Sequence, residues 1–416
     1  MTSERAVYVY IVLPQQTSFV TAGRFVWSGD RRPTGRFVYG RSYLHRSDAV
    51  PIDPVELKLG RAEAATVRMG GLFGAFRDAA PDYWGRRIIE KRAGKPQLDE
   101  VDYLLLSPDD RAGALGFGCN VDPPPPLRTF NRTLDLARLQ VVADELLQGD
   151  ADLDDPDEVQ AADLMLLETS MGGARPKAVV EWNDALWVAK FNRLDDRWNY
   201  ARVEHAMLLL ARECGIHTPQ SEIVEVGARD VLLVGRFDRE KTDSGYRRSR
   251  MVSALTLLRS EEDATARDRW SYVVLAEELR RVSARPRDDA HELFRRMCFN
   301  ALISNTDDHP RNHAVIAPSH DWRLSPAYDL IPSTRVSLER RDLAMSCGDA
   351  GRFANVQNLL SQARRFLLEP TEAADLFDEM EATVRARWHP LARSVGVSER
   401  DCQRITGAFA YPGLRS

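Results

Sequence analysis

The chain has 416 residues and a net charge of −5 at pH 7, and 44% of its residues are hydrophobic. At roughly 100–200 residues per domain, this length predicts two or three domains. The mild negative charge argues against a protein whose whole surface binds nucleic acid. Five distant cysteines without a C-x-x-C pair predict neither a disulfide framework nor a cysteine zinc site. Because no apolar run spans a bilayer and no signal peptide is recognisable, we expect a soluble, cytoplasmic protein without membrane contacts.

The first part of the chain is predicted to contain strands, a helix and a closing strand. Residues 6–13 are rich in Val, Tyr and Ile and predict a strand. The other predicted elements are hairpin strands at 23–27 and 35–39, a helical region over 72–92 and a strand at 113–117. Four successive prolines at 123–126 favour extended structure, so we predict a domain boundary there.

The chain beyond the prolines is predicted to mix strands and helices and then to become mostly helical from about residue 264. An amphipathic pattern predicts a helix over 134–148, and the acidic run at 150–158 is predicted to be a solvated loop. The other predicted elements are strands at 178–182, 187–191, 222–226 and 231–237, and helices at 201–214, 285–303 and 371–388.

Two polar segments near the end of the chain carry the strongest chemical signal. Residues 305–312 have the sequence NTDDHPRN, and residues 325–329 have the sequence SPAYD. The order Asp307, Asn312, Asp329 suits phosphoryl transfer, in which one carboxylate accepts a hydroxyl proton while an amide oxygen and a second carboxylate hold Mg²⁺. A polar loop of this composition is more often a plain turn, so these residues alone do not establish catalysis.

Three features upstream fit phosphate binding. Consecutive glycines in the segment 170–177, SMGGARPK, precede a predicted strand, where backbone amides can closely approach phosphate oxygens. Lys190, on a short apolar strand, either reaches the sheet edge or points towards phosphates. Glu204 follows on the predicted helix 201–214, where it can pair with Lys190. Each feature is common, but Lys, Glu, Asp, Asn and Asp in this order after a glycine turn indicate a kinase.

These motifs resemble those of the HipA family of serine/threonine kinases, the toxins of bacterial toxin–antitoxin pairs. The matching segments extend over about residues 5–395 and are 71–74, 82–86, 111–117, 170–177, 188–191, 234–239, 305–312 and 325–330. The resemblance implies an α+β, two-lobed protein-kinase-like fold with an added N-terminal α/β subdomain. The implied domains are the N-terminal HipA-like subdomain at 1–122, a mixed, β-rich nucleotide-binding N-lobe at 127–238 and a mostly helical catalytic C-lobe at 239–416.

The resemblance also implies a role for each matched position. Asp307 would be the general base with His309 in support, and Asn312 and Asp329 would hold Mg²⁺. The positions expected to bind ATP are Met171, Gly172, Gly173, Ala174, Arg175, Lys190, Glu204, Gly235 and Phe237. Lys190 would contact the phosphates, with Glu204 orienting it. The backbone of Gly235 and Phe237 would contact adenine at a hinge; Gly235 stands where some members have Glu, so only backbone groups remain there.

Regulation and partners follow from the same resemblance. Ser170 matches a serine that is autophosphorylated in this family, and a phosphoserine, which adds about −1.5 to −2 charges, would stop the phosphate loop from closing over ATP. The expected partners are a small helix-turn-helix antitoxin, through which the protein would reach DNA, and a protein substrate in translation such as an aminoacyl-tRNA synthetase. The protein would act as a growth-inhibiting toxin connected with persistence.

The kinase interpretation also accounts for two scarce residues. Only six of the 57 basic residues are lysines, and Lys177 and Lys190 both fall at the predicted phosphate site. A compact ammonium and a planar guanidinium are not interchangeable at such a point.

Two other classes of protein remain open from the residues alone. A metal-dependent hydrolase would leave Lys190 and the glycine segment without a role, and the motifs H-E-x-x-H and H-x-x-E-H are absent. Its candidate ligands would be Asp307, Asp308, His309, His313 and His320. A non-catalytic, DNA-associated binding protein would use short arginine clusters such as 247–250 for phosphate contacts, although such clusters are usually solvated in an arginine-rich chain.

Overall fold

The computed structural model describes residues 4–29, 31–95, 98–126, 131–132, 136–148, 175–334 and 337–415. The chain divides into two compact units. The first unit comprises residues 1–193, 235–261 and 315–322, and the second comprises 194–234, 262–314 and 323–416. These units group residues by packing, and the domain boundaries at 122–127 and 238–239 stay a prediction. Within the described part of the chain, no helix combines the length and apolar character that crossing a bilayer requires.

Fifteen strands are described, most of them in the first two thirds of the chain. The strands are β1 (Glu4–Val12), β2 (Phe19–Ser28), β3 (Thr34–Tyr39), β4 (Ala64–Thr66), β5 (Leu115–Gly118), β6 (Asn131–Arg132), β7 (Lys177–Trp182), β8 (Ala185–Phe191), β9 (Ser221–Val226), β10 (Arg229–Gly235), β11 (Arg239–Thr242), β12 (Gly245–Arg248), β13 (Arg250–Ser253), β14 (Ala314–Ala317) and β15 (Arg323–Leu324).

The longest helices lie towards the end of the chain. The α-helices are α1 (Arg41–Leu44), α2 (Gly74–Ala79), α3 (Tyr83–Ala93), α4 (Glu100–Leu106), α5 (Leu136–Gln148), α6 (Tyr200–Glu213), α7 (Ala254–Leu257), α8 (Tyr272–Val282), α9 (Pro286–Leu302), α10 (Val356–Ser361), α11 (Pro370–Ser394) and α12 (Glu399–Ile405). Short 3-10 turns cover Ala264–Arg269, Pro310–Asn312, Ala363–Phe366, Thr406–Ala408 and Pro412–Leu414.

An antiparallel sheet with the order β4-β3-β2-β1-β5 opens the first unit. The predicted hairpin is confirmed, with Phe25 opposite Phe37, and the predicted strand near 113–117 closes the sheet by pairing β5 with β1. Phe76 on α2 packs edge-on against Phe25, Phe37 and Phe117, with ring centroids 5.1, 5.6 and 5.4 Å away. These aromatic contacts fix α2 on one face of the sheet, because edge-to-face pairs add to the hydrophobic burial.

The predicted helical region 72–92 is divided into α2 and α3. Pro81 lies between the two helices, and a proline inside a helix removes a backbone hydrogen bond and clashes with the preceding turn. Asp82 then begins α3 as its N-cap, and its carboxylate accepts a hydrogen bond from the Gly85 N–H at 2.9 Å. The Asp-Tyr-Trp-Gly motif of residues 82–85 is therefore a helix start.

A second group of strands in the first unit contains the predicted phosphate-binding lysines. β7 pairs antiparallel with β8, and β6 adds to β7 in parallel. In this register Lys177 lies directly opposite Lys190. The chain re-enters this unit at Gly235, and the N–H of Arg236 donates to the carbonyl of Leu186 on β8 at 2.9 Å.

The second unit is built around long helices, as predicted. Prolines stand at the first turns of α9 and α11, where a missing N–H costs no helical hydrogen bond. Helix α9 is buried along most of its length and packs against α8 and α11, and α6 also packs against α11. β9 and β10 form an antiparallel pair in this unit. Within this mostly helical part of the chain, the described residues between 325 and 355 form turns and isolated bridges.

Candidate active site

The 305–312 loop follows directly from the end of α9. Ser304 turns the chain with a positive φ of +54°, and the Asn305 N–H donates to the carbonyl of Asn300 on α9 at 2.8 Å. Pro310 begins a 3-10 turn that ends at Asn312. The loop is therefore anchored at both ends by backbone geometry, as a site for positioned side chains requires.

Asp307 lies exposed on this loop, and its backbone is held by two of its neighbours. Its carbonyl accepts hydrogen bonds from the His309 N–H at 2.8 Å and the Asn312 side-chain amide at 3.4 Å. Partial removal from water raises the pKa of the Asp307 carboxyl above its ordinary value, and the charges of Asp329 and Asp308 raise it further against the opposing effect of His309. A carboxylate that binds a proton more readily is better suited to act as a general base near neutral pH.

Asp308, the next residue, is buried and receives three hydrogen bonds on one carboxylate oxygen. Its Oδ2 accepts from Asn300 Nδ2 at 2.7 Å, from His313 Nε2 at 2.7 Å and from the Tyr272 hydroxyl at shorter range. Burial, together with the charge of Asp308, raises the pKa of Tyr272 well above its ordinary value, so the phenol remains a donor. Asp308 therefore anchors the loop, a role that the sequence analysis missed because it considered Asp308 only as a metal ligand. The Asp-Asp doublet was the available signal, because adjacent side chains in a loop often face opposite sides.

Asn312 and Asp329 are the two residues that the sequence predicts to hold Mg²⁺, and that role stays a prediction. Asn312 is buried, and its amide nitrogen donates to the Asp307 carbonyl, so the oxygen end of its amide is available for a cation. Asp329 has a positive φ of +61°, a left-handed backbone that is uncommon for residues other than glycine and that often marks a functional site. An amide oxygen and a carboxylate are hard ligands, which fit a magnesium ion.

Hydrogen bonds tie the 325–330 segment to the 305–312 loop. The Asn305 side chain donates to the Asp329 carbonyl at 3.3 Å and to the Asn300 side-chain oxygen at 3.0 Å. The Tyr328 hydroxyl donates to the carbonyl of Arg311 at 2.7 Å. Asp307, Asn312 and Asp329 thus belong to one connected piece of the second unit, and their roles as catalytic base and metal ligands stay a prediction.

The hydrolase alternative requires a cluster of metal-binding side chains. Among the residues that the structure describes, no group of three or more His, Cys, Asp and Glu side chains converges as such a site would. His313 directs Nε2 at Asp308, which makes it part of the buried anchor.

Lys177 and Lys190, which are both predicted to lie at the phosphate site, have different environments in the first unit. Lys177 is buried and pairs with Asp82 at 2.5 Å, with side chains that are 6% and 3% exposed. Lys190, directly opposite on β8, is half-buried. Lys177 therefore forms a buried ion pair, and the role of Lys190 at the phosphates stays a prediction.

The remaining predicted residues fall on both units. Arg175 lies half-buried before β7, and Gly235 and Phe237 flank Arg236, all in the first unit. Glu204 is buried on α6 of the second unit. Ser170, Met171, Gly172, Gly173 and Ala174 lie outside the described residues, so their predicted roles stay predictions.

The fold is similar to that of a solved protein of a toxin–antitoxin system. The chain superposes on HipA in the complex of HipA, HipB and operator DNA from Shewanella oneidensis MR-1, with a TM-score of 0.67 and 16% identity. The match covers 95% of each chain. This similarity confirms the predicted α+β, kinase-like fold.

Two family models match the chain in the expected order. The HipA N-terminal domain matches residues 17–118, and the HipA-like C-terminal domain matches residues 169–388. The chain therefore belongs to the HipA family, as its motifs predict.

Curated relatives are similar over a smaller part of the chain. A protein of Sinorhizobium fredii named "Putative kinase Y4mE" is 27% identical over 154 residues, and one of Haemophilus influenzae named "Putative kinase" is 25% identical over 140 residues. The matches cover 35% and 32% of this chain and 35% and 40% of the two relatives, so the chain spans little more than a third of their length.

Proposed function

We propose that this protein is a cytoplasmic, ATP-dependent serine/threonine protein kinase that acts as the growth-inhibiting toxin of a toxin–antitoxin pair. The observation that carries the proposal is the connected arrangement of Asp307, Asn312 and Asp329, in which the first lies exposed with a raised pKa. Family membership supports it, because the matched C-terminal model includes all three residues.

Each residue of this arrangement has one role in the proposed reaction. Asp307 accepts the proton of a substrate serine or threonine hydroxyl as that oxygen attacks the γ-phosphorus of ATP. The bond between the γ-phosphorus and the β–γ bridging oxygen breaks, and ADP leaves with that oxygen. His309 supports Asp307 through the hydrogen bond that its backbone N–H donates to the Asp307 carbonyl. Asn312 and Asp329 hold Mg²⁺, which neutralises charge on the phosphates when it is bound.

Lys190 and its neighbours bind ATP in this proposal. Lys190 contacts the phosphates, Glu204 orients it, and the loop from Met171 to Arg175 covers the phosphates with its backbone amides. The backbone of Gly235 and Phe237 contacts the adenine ring. These assignments rest on matched family positions and on the half-buried setting of Lys190.

Regulation and partners complete the proposal. Autophosphorylation of Ser170 places added negative charge where the loop binds phosphate and switches the kinase off. The partner is a small helix-turn-helix antitoxin, through which the toxin reaches DNA, in line with the HipA, HipB and operator DNA complex that shares this fold. The substrate is a protein of the translation machinery, such as an aminoacyl-tRNA synthetase.

Replacing the base tests the proposal. Asp307→Asn keeps the size of an exposed side chain but cannot accept a proton, so phosphate transfer from Mg-ATP should fall by about 10²–10⁴-fold while the chain stays folded. The assay is transfer of labelled γ-phosphate to protein, with Asp375→Asn, an exposed aspartate on α11, as the matched control. Mass spectrometry of the same incubation should find phosphate on Ser170.

Different results separate the alternatives. A wild-type chain that transfers no phosphate from ATP contradicts the kinase and favours the non-catalytic binding protein. An active wild type with a fully active Asp307→Asn variant leaves the kinase standing but removes Asp307 as the base. An active preparation without phosphate on Ser170 contradicts only the switch.

A further inference from the structure

Buried side chains of opposite charge lie within and beside the segment 235–239. This segment contains the two residues proposed to contact adenine. We call Asp110, Arg236, Asp238 and Arg239 the hinge network. Its side chains are at most 1% exposed. All four residues lie in the first unit, with Asp110 in the part matched by the HipA N-terminal model and the others in the part matched by the C-terminal model.

Arg236 joins the two parts of this network. Its Nη1 donates to both oxygens of Asp110 at 2.8 and 2.9 Å. Its Nε and Nη2 form a bidentate pair with Asp238 at 3.0 and 2.9 Å. A planar guanidinium held in this way has little rotational freedom, and its backbone N–H is also fixed by the Leu186 carbonyl.

The N-terminal region contributes backbone groups as well as Asp110. The Gly113 N–H donates to Asp238 Oδ2 at 2.9 Å, and the Gly113 carbonyl accepts from Arg239 at 2.8 Å. Gly113 has a φ of +80°, which favours glycine, and an added Cβ would lie 3.2 Å from the backbone nitrogen of Met251. The glycine of the 111–117 motif is therefore needed for this contact.

The charges in this network depend on one another. Although burial opposes ionisation, Arg236 and Arg239 lower the pKa of Asp238 far below its ordinary value. Two carboxylates and two guanidiniums balance in charge, and removal of one partner from such a group leaves a buried charge without full compensation.

We propose that Asp110, with Arg236 and Asp238, is a positioning residue for nucleotide recognition, because it holds the backbone of Gly235 and Phe237 in the register that recognises adenine. This inference rests on the proposed function, in which that backbone contacts the base. Arg236 lies between the two residues, so a shift of its guanidinium displaces the peptide groups on both sides. The N-terminal region thereby determines base preference without touching the nucleotide.

Base preference is the property that a positioning role should change. Adenine presents an amino donor at C6, whereas guanine presents a carbonyl acceptor there. A backbone carbonyl that is correctly placed for adenine therefore faces a lone pair in guanine. A shift of the Gly235 and Phe237 backbone therefore weakens the selection of ATP over GTP. A general loss of protein stability instead reduces the use of both nucleotides in parallel.

The test uses the full chain and measures kcat and KM separately with ATP and GTP. Asp110→Asn removes the charge at nearly constant volume, and we expect about a tenfold rise in KM for ATP, equivalent to about 1.4 kcal/mol, with a smaller change for GTP. The kcat for ATP should change less than KM. The matched control is Asp109→Asn, whose carboxylate pairs with Arg248 at 3.1 Å instead; it should retain the wild-type preference.

Further variants keep the inference separable from the proposed function. Lys190→Ala should weaken both nucleotides alike, because both carry the same phosphates. An active wild type with an unchanged ATP preference in folded Asp110→Asn overturns the positioning role alone, and a wild type that uses neither nucleotide overturns the proposed function as well. Should Asp110→Asn fail to fold, Arg239→Lys is the deciding variant. It keeps the charge but loses the fork in which Nη1 contacts Asp238 and Gly113 while Nη2 contacts Asp110. An unchanged preference in that variant contradicts the inference.

Discussion

Two adjacent aspartates on the 305–312 loop show how strongly the environment separates identical residues. Asp307 is exposed, with a raised pKa, whereas Asp308 is buried and accepts three hydrogen bonds on one oxygen. The first arrangement leaves a carboxylate able to take up a proton, and the second uses its carboxylate to hold the loop. A charged group is buried at acceptable cost only when it is paired or well hydrogen bonded.

Asp53 is a second aspartate whose environment has a measurable consequence. Burial raises the pKa of Asp53 to about 6, even though its Oδ1 accepts hydrogen bonds from the N–H groups of Val55, Glu56 and Leu57. The folded pKa exceeds the unfolded value, so the folded chain binds the proton more tightly. The contribution to stability is fully present below about pH 4 and is lost as the pH rises through about 6.

Asp53→Asn should remove this pH dependence. The amide keeps an oxygen acceptor for the three N–H groups. In the wild type the free energy of unfolding should fall by up to about 3 kcal/mol between pH 4 and pH 6 because of Asp53, and in the variant this fall should be absent. Chemical denaturation of variant and wild type across this range measures the difference. Exposed Asp243→Asn in the same unit is the control, and parallel curves for Asp53→Asn and wild type would contradict the prediction.

At the scale of elements, the 305–312 loop depends on the helices that carry it. Asn300 on α9 and Tyr272 on α8 both donate to Asp308, and Asn300 also bonds the Asn305 side chain that reaches the Asp329 carbonyl. Two helices therefore position a loop that has little regular structure of its own. A rigid scaffold below a polar loop is the usual arrangement of a catalytic site.

Asp308→Asn should weaken the hydrogen bonds that hold the 305–312 loop to α8 and α9. The amide cannot serve all three donors as the carboxylate does, so we expect about 1–3 kcal/mol lower stability and reduced phosphate transfer. Denaturation and the labelled-ATP assay on one preparation measure both effects. The exposed Asp375→Asn variant should change neither, and an Asp308→Asn variant with wild-type stability would show that the buried carboxylate is not an anchor.

At the scale of the whole molecule, the N-terminal region is joined to the first unit's other segments by buried polar groups. Asp78 on α2 accepts hydrogen bonds from Ser253 and Thr256 at 2.7 Å each, and Asp82 pairs with Lys177 on β7. With the hinge network, these contacts make the first unit a single packed body, although the chain leaves and re-enters it.

The Lys177–Asp82 pair predicts coupled unfolding of these segments. Asp82→Asn retains a good N-cap for α3 but loses the charge, and Lys177→Met retains much of the packing. Each single change should cost about 3–5 kcal/mol, and the double variant should cost less than their sum, because the second change removes an uncompensated charge. A double-mutant cycle by chemical denaturation measures the coupling, with the exposed Lys58→Met as control. Strictly additive effects would contradict a net interaction between the two side chains.

Much of the local structure follows from the sequence alone. A segment rich in Val, Tyr and Ile predicted β1, and an amphipathic pattern predicted α5, because burial on one face imposes a period on the chain. The helices α6, α9 and α11 were also predicted from the sequence. The order of the site residues also predicted that Asp307, Asn312 and Asp329 act together. The division of the 72–92 region by Pro81 and the turns at 325–355 were less accessible, since they depend on local capping and on hydrogen bonds to distant segments.

Tertiary structure alone decided the different surroundings of two equivalent residues. Sequence determined that this is a HipA-family chain with Lys177 and Lys190 near a predicted phosphate loop and with an Asp307–Asp308 doublet. Only the fold assigned Lys177 to Asp82 and Asp308 to Tyr272, Asn300 and His313. The physical reason is that the cost of burying a charge depends on partners contributed by remote parts of the chain, and their proximity is set by packing.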